Sequence, residues 1–223
     1  MKKLLTIFAI LSAFAVNAQN LQLHRDFDRG HYTTTFEMFK MDKWGNTFTF
    51  IDFDYDAKNG INQGYFEIAR VLKTEKMPIG LHIEYNGGVG NADNFGYTIN
   101  DAWIFGANYS KGTAKWGYST YAGYKAIKDA GEANFQVTGT WYVNMFDNKV
   151  TFSGFADLWS ENGDDEAIAA GSVSDKLVFL TEPQIWYHAN KNLSIGGEIE
   201  ISNNFAGDDF EVRPTLALKW NFL

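Results

Sequence analysis

The sequence predicts an all-β fold, a closed antiparallel transmembrane β-barrel of about twelve strands. Three observations carry that expectation. Apolar and polar side chains alternate with period two through most of the 223 residues, the pattern of strands with one greasy face. The connections between these runs are by turns short and long. The apolar parity turns aromatic near strand ends, as at Trp103 and Tyr109, Trp116 and Tyr124, and Trp220 and Phe222, which suits belts at two lipid–water interfaces.

Residues 1–18, MKKLLTIFAILSAFAVNA, are set apart first. Lys2 and Lys3 make a positive start, Leu4 to Val16 is apolar, and Val16-Asn17-Ala18 offers small residues for cleavage before Gln19. This reads as a secretory signal peptide that is removed. Residues 19–223 are then expected as a single barrel domain in the outer membrane, reached across the inner membrane.

The strands follow in order. Leu21–Phe27 is weak. Thr33–Lys40 and Thr47–Tyr55 flank MDKWG (41–45), and Tyr65–Leu72 and Ile79–Asn86 flank KTEKMP (73–78). Asn100–Tyr109 and Lys115–Lys125 flank SKGT (110–113). Asn134–Asn144 alternates most cleanly, Phe135, Val137, Gly139, Trp141 and Val143 opposing Asn134, Gln136, Thr138, Thr140, Tyr142 and Asn144, and 146–149 lead to Val150–Trp159. Leu177–His188 and Leu193–Asn204 flank ANKN (189–192), and Phe210–Phe222 closes the chain. Most approach the 9–11 residues a tilted membrane strand needs. No stretch has a sustained helical period. The other connections, 56–64, 87–96, 126–133, 160–175 and 203–209, are expected as longer, acidic outer loops; only 28–32 is short.

Backbone groups left unpaired in lipid are costly, so such a sheet must close. Arg70 breaks the charge pattern by sharing parity with Phe66 and Ile68, close enough to the 73–78 turn to snorkel. The net charge of -8 becomes more negative once Lys2 and Lys3 are lost, which argues against a nucleic-acid partner. With no Cys there is no disulfide and no thiolate metal site, and nothing calls for a metal or cofactor. The expected partners are outer-membrane lipid and small polar solutes. The C-terminal aromatic strand also resembles the signal that the outer-membrane assembly machinery reads.

Charge parity then lists the lumen. Glu37, Asp52, Asp54, Glu67, Glu84 and Asp157 point inward, with Glu182, Glu198, Glu200 and Glu211 beside them. They outnumber inward Lys125, Arg213 and Lys219, which predicts an interior field favouring cations and neutral polar solutes. The other outcome is that these charges pair across the barrel and fill it. In FEMFKMDKWGNTFTFIDFDY (36–55) the same parity sends Phe39, Phe48 and Phe50 inward. Rings beside carboxylates suit a solute with a flat face and hydroxyls, the ring stacking and the carboxylate accepting hydrogen bonds. An aromatic plug is the alternative.

This stretch resembles the nucleoside-specific channel-forming (Tsx-like) outer-membrane family. Glu37, Phe39, Trp44, Phe48, Phe50 and Asp52, then Phe66–Ile68, carry the likeness, with SGFADLWSENGDD (153–165) and the terminal Asn221-Phe222. This chain would be a shorter relative, of a family of this length whose function is unknown. The resemblance implies a twelve-stranded barrel with a narrow channel, Phe39, Phe48, Phe50 and Phe155 touching a base and Glu37, Asp52, Glu67 and Asp157 the sugar hydroxyls. Two other readings stand beside the channel. One is a structural or adhesive barrel whose acidic loops, such as ENGDDE (161–166), bind a partner. The other is a lipid-modifying enzyme, which the four histidines (His24, His31, His82, His188) and the absence of Gly-x-Ser-x-Gly or His-x-Glu-x-x-His spacing do not favour.

Overall fold

A computed structural model describes residues 17–222 except 57–59, 75, 93–94, 170–174 and 206–208. The described chain is one antiparallel sheet closed on itself. Its segments are β1 (Asn17–Asp26), β2 (Tyr32–Asp42), β3 (Gly45–Asp56), β4 (Gly60–Leu72), β5 (Gly80–Ala92), β6 (Phe95–Gly112) and β7 (Trp116–Ile127). They continue with β8 (Asn134–Met145), β9 (Val150–Glu161), β10 (Lys176–Thr181), β11 (Gln184–His188), β12 (Leu193–Asn203) and β13 (Phe210–Asn221). From β1 to β9 each strand pairs with the next, β12 pairs with β13, and β13 pairs back to β1 through Leu21↔Trp220 and Leu23↔Leu218, which closes the ring.

The thirteen segments occupy twelve places. β10 and β11 both lie between β9 and β12. Their registers are continuous, Leu180↔Asp157 and Gln184↔Ser153 on one side, Leu180↔Ser202 and Gln184↔Glu198 on the other. The interruption falls at Glu182-Pro183, because Pro has no N–H for the ladder. The flanking bonds survive: Glu182 N donates to Phe155 O at 3.1 Å and Ile199 N to Pro183 O at 3.1 Å. The wall therefore stays hydrogen-bonded across the break. The twelve-strand expectation holds with this one refinement.

The outer face is apolar and open. Leu21, Leu23, Ile68, Leu81, Trp103, Phe105, Tyr124, Val137, Ile185, Ile195, Leu216 and Leu218 are all exposed, and all sit on the outward parity. Water would tax such a surface heavily; lipid does not. At the short-turn end the face becomes aromatic, with Trp116 stacked on Tyr118 at 6.3 Å and Trp220 against Phe222 at 5.2 Å. Arg70 does face outward, and its guanidinium bonds Asp42 at 2.9 Å and Thr47 at 3.1 Å rather than reaching free to the interface.

Several expectations change. The first strand is ten residues long, and it carries the buried His24 into the lumen. The signal segment 1–18 lies outside the described residues except for 17 and 18. Residues 87–92 and 95–96 are strand, not loop: β5 and β6 pair as far as Ala92↔Phe95, beyond a register shift at Asn86/Gly88. Glycine permits this, because a Cβ at Gly90 would collide with the Tyr97 ring. Of the 56–64 connection only 57–59 separates β3 from β4, and those three lie outside the described residues. The 160–175 connection contains a short helix, α1 (Asp165–Ala169), where Asp164 caps Ala167 N at 2.8 Å. Ala167 packs on Ala130 and so ties this loop to the neighbouring one.

Candidate transport lumen

Strand pairing settles which side chains share the interior. Glu37 lies opposite Phe50, Phe50 opposite Glu67, Phe39 opposite Phe48, and Asp52 opposite Tyr65. Asp54 is opposite Thr33 on β2 and Gln63 on β4. On β9, Phe155 is opposite Thr140 and Asp157 is opposite Thr138. Glu84 faces Ala69 and Ile104. All ten candidates thus project to the inside.

Burial divides this interior in two. Along β5–β7 and part of β10–β13 it is packed shut: Ile104 and Val178 are 0% exposed, Trp186 1% and Glu84 1%. Along β2–β4 and β9 the inward residues Glu37, Phe39, Phe48, Phe50, Asp52, Asp54, Glu67, Phe155 and Asp157 are only half-buried. Those nine line the open part. Glu84 does not join them. It accepts from His82 Nε2 at 2.9 Å and Asn86 Nδ2 at 3.3 Å, with His82 stacked on Tyr121 at 3.7 Å between centroids. It is part of the wall.

The open part has a rail of rings. Phe48 and Phe50 lie 6.0 Å apart, and Phe50 and Tyr65 5.7 Å apart. Tyr65 was missed in the sequence, although its parity with Glu67 was there to use. Carboxylates run alongside. Glu37 accepts from Gln22 Nε2 at 3.2 Å and Asn20 Nδ2 at 3.4 Å. Asp54 accepts from Thr33 Oγ1 at 2.6 Å and Gln63 Nε2 at 3.3 Å. Asp52 and Asp157 each keep one buried oxygen, Oδ1, with no hydrogen-bond partner in the protein. A buried acceptor without a donor is uncommon.

Charge pairing is uneven along the barrel. At the long-connection mouth the acids are matched: Arg29 meets Asp26 at 2.6 Å and Glu200 at 3.2 Å, and Arg213 meets Glu200 at 2.7 Å, Glu211 at 3.2 Å and Asp28 at 3.4 Å. There the charges fill and brace the barrel. Glu198 faces His24 Nδ1 at 3.2 Å. Lys125 donates to Gln136 Oε1 at 2.9 Å and covers Trp159 at 4.5 Å, while Lys219 covers Trp186 at 3.9 Å, so these two lie on tryptophan faces and pair with no carboxylate within 4.0 Å among the described residues. Along the rail, Asp52, Glu67 and Asp157 have no Lys or Arg ion pair among the described residues.

Residues 18–222 match the profile of a protein family described as Domain of unknown function (DUF5020). The chain belongs to that family. Among curated proteins nothing matches it. Solved structures are similar in fold. The NanC porin superposes with a TM-score of 0.58 at 11% identity, over 92% of this chain and 99% of the other. The KdgM porin gives 0.54 at 8% identity over the same shares, and the KdgM porin in complex with disordered oligogalacturonate gives 0.53 at 9%. At these identities the likeness is one of architecture: this DUF5020 chain has the closed barrel of outer-membrane porins. Membership of a family of unknown function agrees with the sequence expectation. The resemblance to the nucleoside-specific family is not what the profile reports.

Proposed function

We propose that this DUF5020 barrel is an outer-membrane channel for passive passage of small polar solutes, neutral or cationic, with nucleosides the class its lining fits. One observation carries the reading. Part of the interior is packed shut, and the inward residues left part-exposed include a rail of Phe48, Phe50 and Tyr65 beside Asp52, Glu67 and Asp157. Filler would be packed like the closed part. A flat base can slide from ring to ring, while ribose hydroxyls donate to the carboxylates beside them.

The charge also separates this barrel from one of its structural neighbours. The KdgM porin is known in complex with disordered oligogalacturonate, a polyanion. A lining whose unpaired charges are carboxylates repels such a chain, so the fold carries over and that solute does not.

Single-channel recording in a planar bilayer tests the proposal. Purified barrel should conduct, and nucleosides should interrupt the current in a concentration-dependent way. Phe50→Ala should weaken the block severalfold without loss of the folded barrel, since no lipid-facing area is removed. An unchanged block with a merely larger conductance would reduce the rings to filler and end the nucleoside reading.

A further inference from the structure

Lysine marks every turn at one end of the barrel. Lys43 lies between β2 and β3, Lys73 and Lys76 between β4 and β5, Lys115 between β6 and β7, Lys149 between β8 and β9, and Lys191 between β11 and β12. Successive hairpins carry them round most of the rim. All but the half-buried Lys73 are exposed, and none makes an ion pair among the described residues. Of the described acids at this end, Asp42 is bound to Arg70 and Asp147 is exposed in the β8–β9 turn, so the rim is predominantly basic. The opposite rim has the reverse sign, with Asp101, Asp129, Glu132, Asp164, Asp165 and Glu166 in its described connections or beside them.

The lysines stand just beyond the aromatic belt. Lys43 Nζ is 5.2 Å from the centre of the Trp44 ring, and Lys73 Nζ is 6.0 Å from that of Tyr109. Trp and Tyr settle at the lipid–water boundary, so these ammonium groups lie at headgroup depth, their methylene stems along apolar surface. A rim with a surplus of one sign repels itself, and a layer of bound anions relieves that repulsion.

We infer that this rim is a docking collar for anionic phospholipid, gripping the phosphate and glycerol headgroups of the leaflet in which the short turns lie. Lysines at a membrane surface are drawn to anionic headgroups individually, and five successive turns of them engage lipid around most of the barrel. The inference does not depend on what the lumen carries.

The test refolds the full chain into vesicles of phosphatidylcholine alone or with phosphatidylglycerol added, and follows thermal unfolding. The acidic rim meets the same lipid in the other leaflet, so the quantity read is the variant's shift from wild type. The combined variant Lys43→Gln, Lys73→Gln, Lys115→Gln and Lys149→Gln should unfold about 4 °C or more below wild type in phosphatidylglycerol at low salt, but within about 1 °C of it in phosphatidylcholine. The matching Lys→Arg variant should behave as wild type in both. Equal shifts in both lipids, or none in either, would overturn the collar. So would a barrel indifferent to phosphatidylglycerol whose lysines instead bind isolated peptidoglycan.

Discussion

Two carboxylates two strands apart do different work in this barrel. Asp52 is half-buried with an unpartnered oxygen, whereas Glu84 is locked against His82 and Asn86. Substitution should separate them. Asp52→Asn keeps shape and one acceptor, so stability should stay near wild type while cation preference falls. Glu84→Ala strands the buried His82 and Asn86 and should cost about 2–4 kcal/mol in urea unfolding, with selectivity unchanged. Equal effects at both sites would erase the division between lining and wall. Parity made both residues legible as inward, because a strand turns every second side chain the same way. It could not say which would be covered. That depends on Ile104, Val178 and Trp186, apolar residues that also point inward, and alternation assumes the inside is polar.

At the scale of the strand, the two faces differ in what they meet. Leu216 on β13 is 56% exposed on the outer face, and Thr140 on β8 is on the lumen side. Leu216→Arg should cost about 2–4 kcal/mol near the midplane, measured by denaturant unfolding in lipid vesicles, and Thr140→Arg under about 1 kcal/mol. Equal costs would argue for a soluble sheet. Thr215, the sequence neighbour of Leu216, is a poor control: its Oγ1 accepts from Glu198 N at 3.1 Å and meets His24 at 3.1 Å. Strand identity was legible because period two persists over whole strands. Strand length was not. The glycine-rich run 87–92 looks like loop, yet Val89↔Thr98 and Asn91↔Gly96 continue the ladder. Pairing there comes from the backbone, which composition does not report. The Glu182-Pro183 interruption shows the reverse, a visible proline that removes a ladder position without ending the strand.

The whole molecule combines a lipid-facing shell, a braced mouth and an acidic open rail. Its closure follows from first principles, since an edge in lipid would strand backbone groups. The excess of inward acids was visible in the sequence. What was hidden is where that excess stays unpaired: Arg29 and Arg213 gather the acids of the mouth, and the carboxyls of the rail have no Lys or Arg ion pair among the described residues. That distribution arises from contacts far apart in sequence, such as Arg29 with Glu200, and no local pattern contains them. The most direct measurement is the zero-current potential of the barrel in a planar bilayer between unequal potassium chloride solutions. An acidic open lumen requires a potential of the sign that marks potassium as more permeant than chloride, reduced in Asp52→Asn. A chloride preference, or a correctly folded barrel that passes no current, would contradict it.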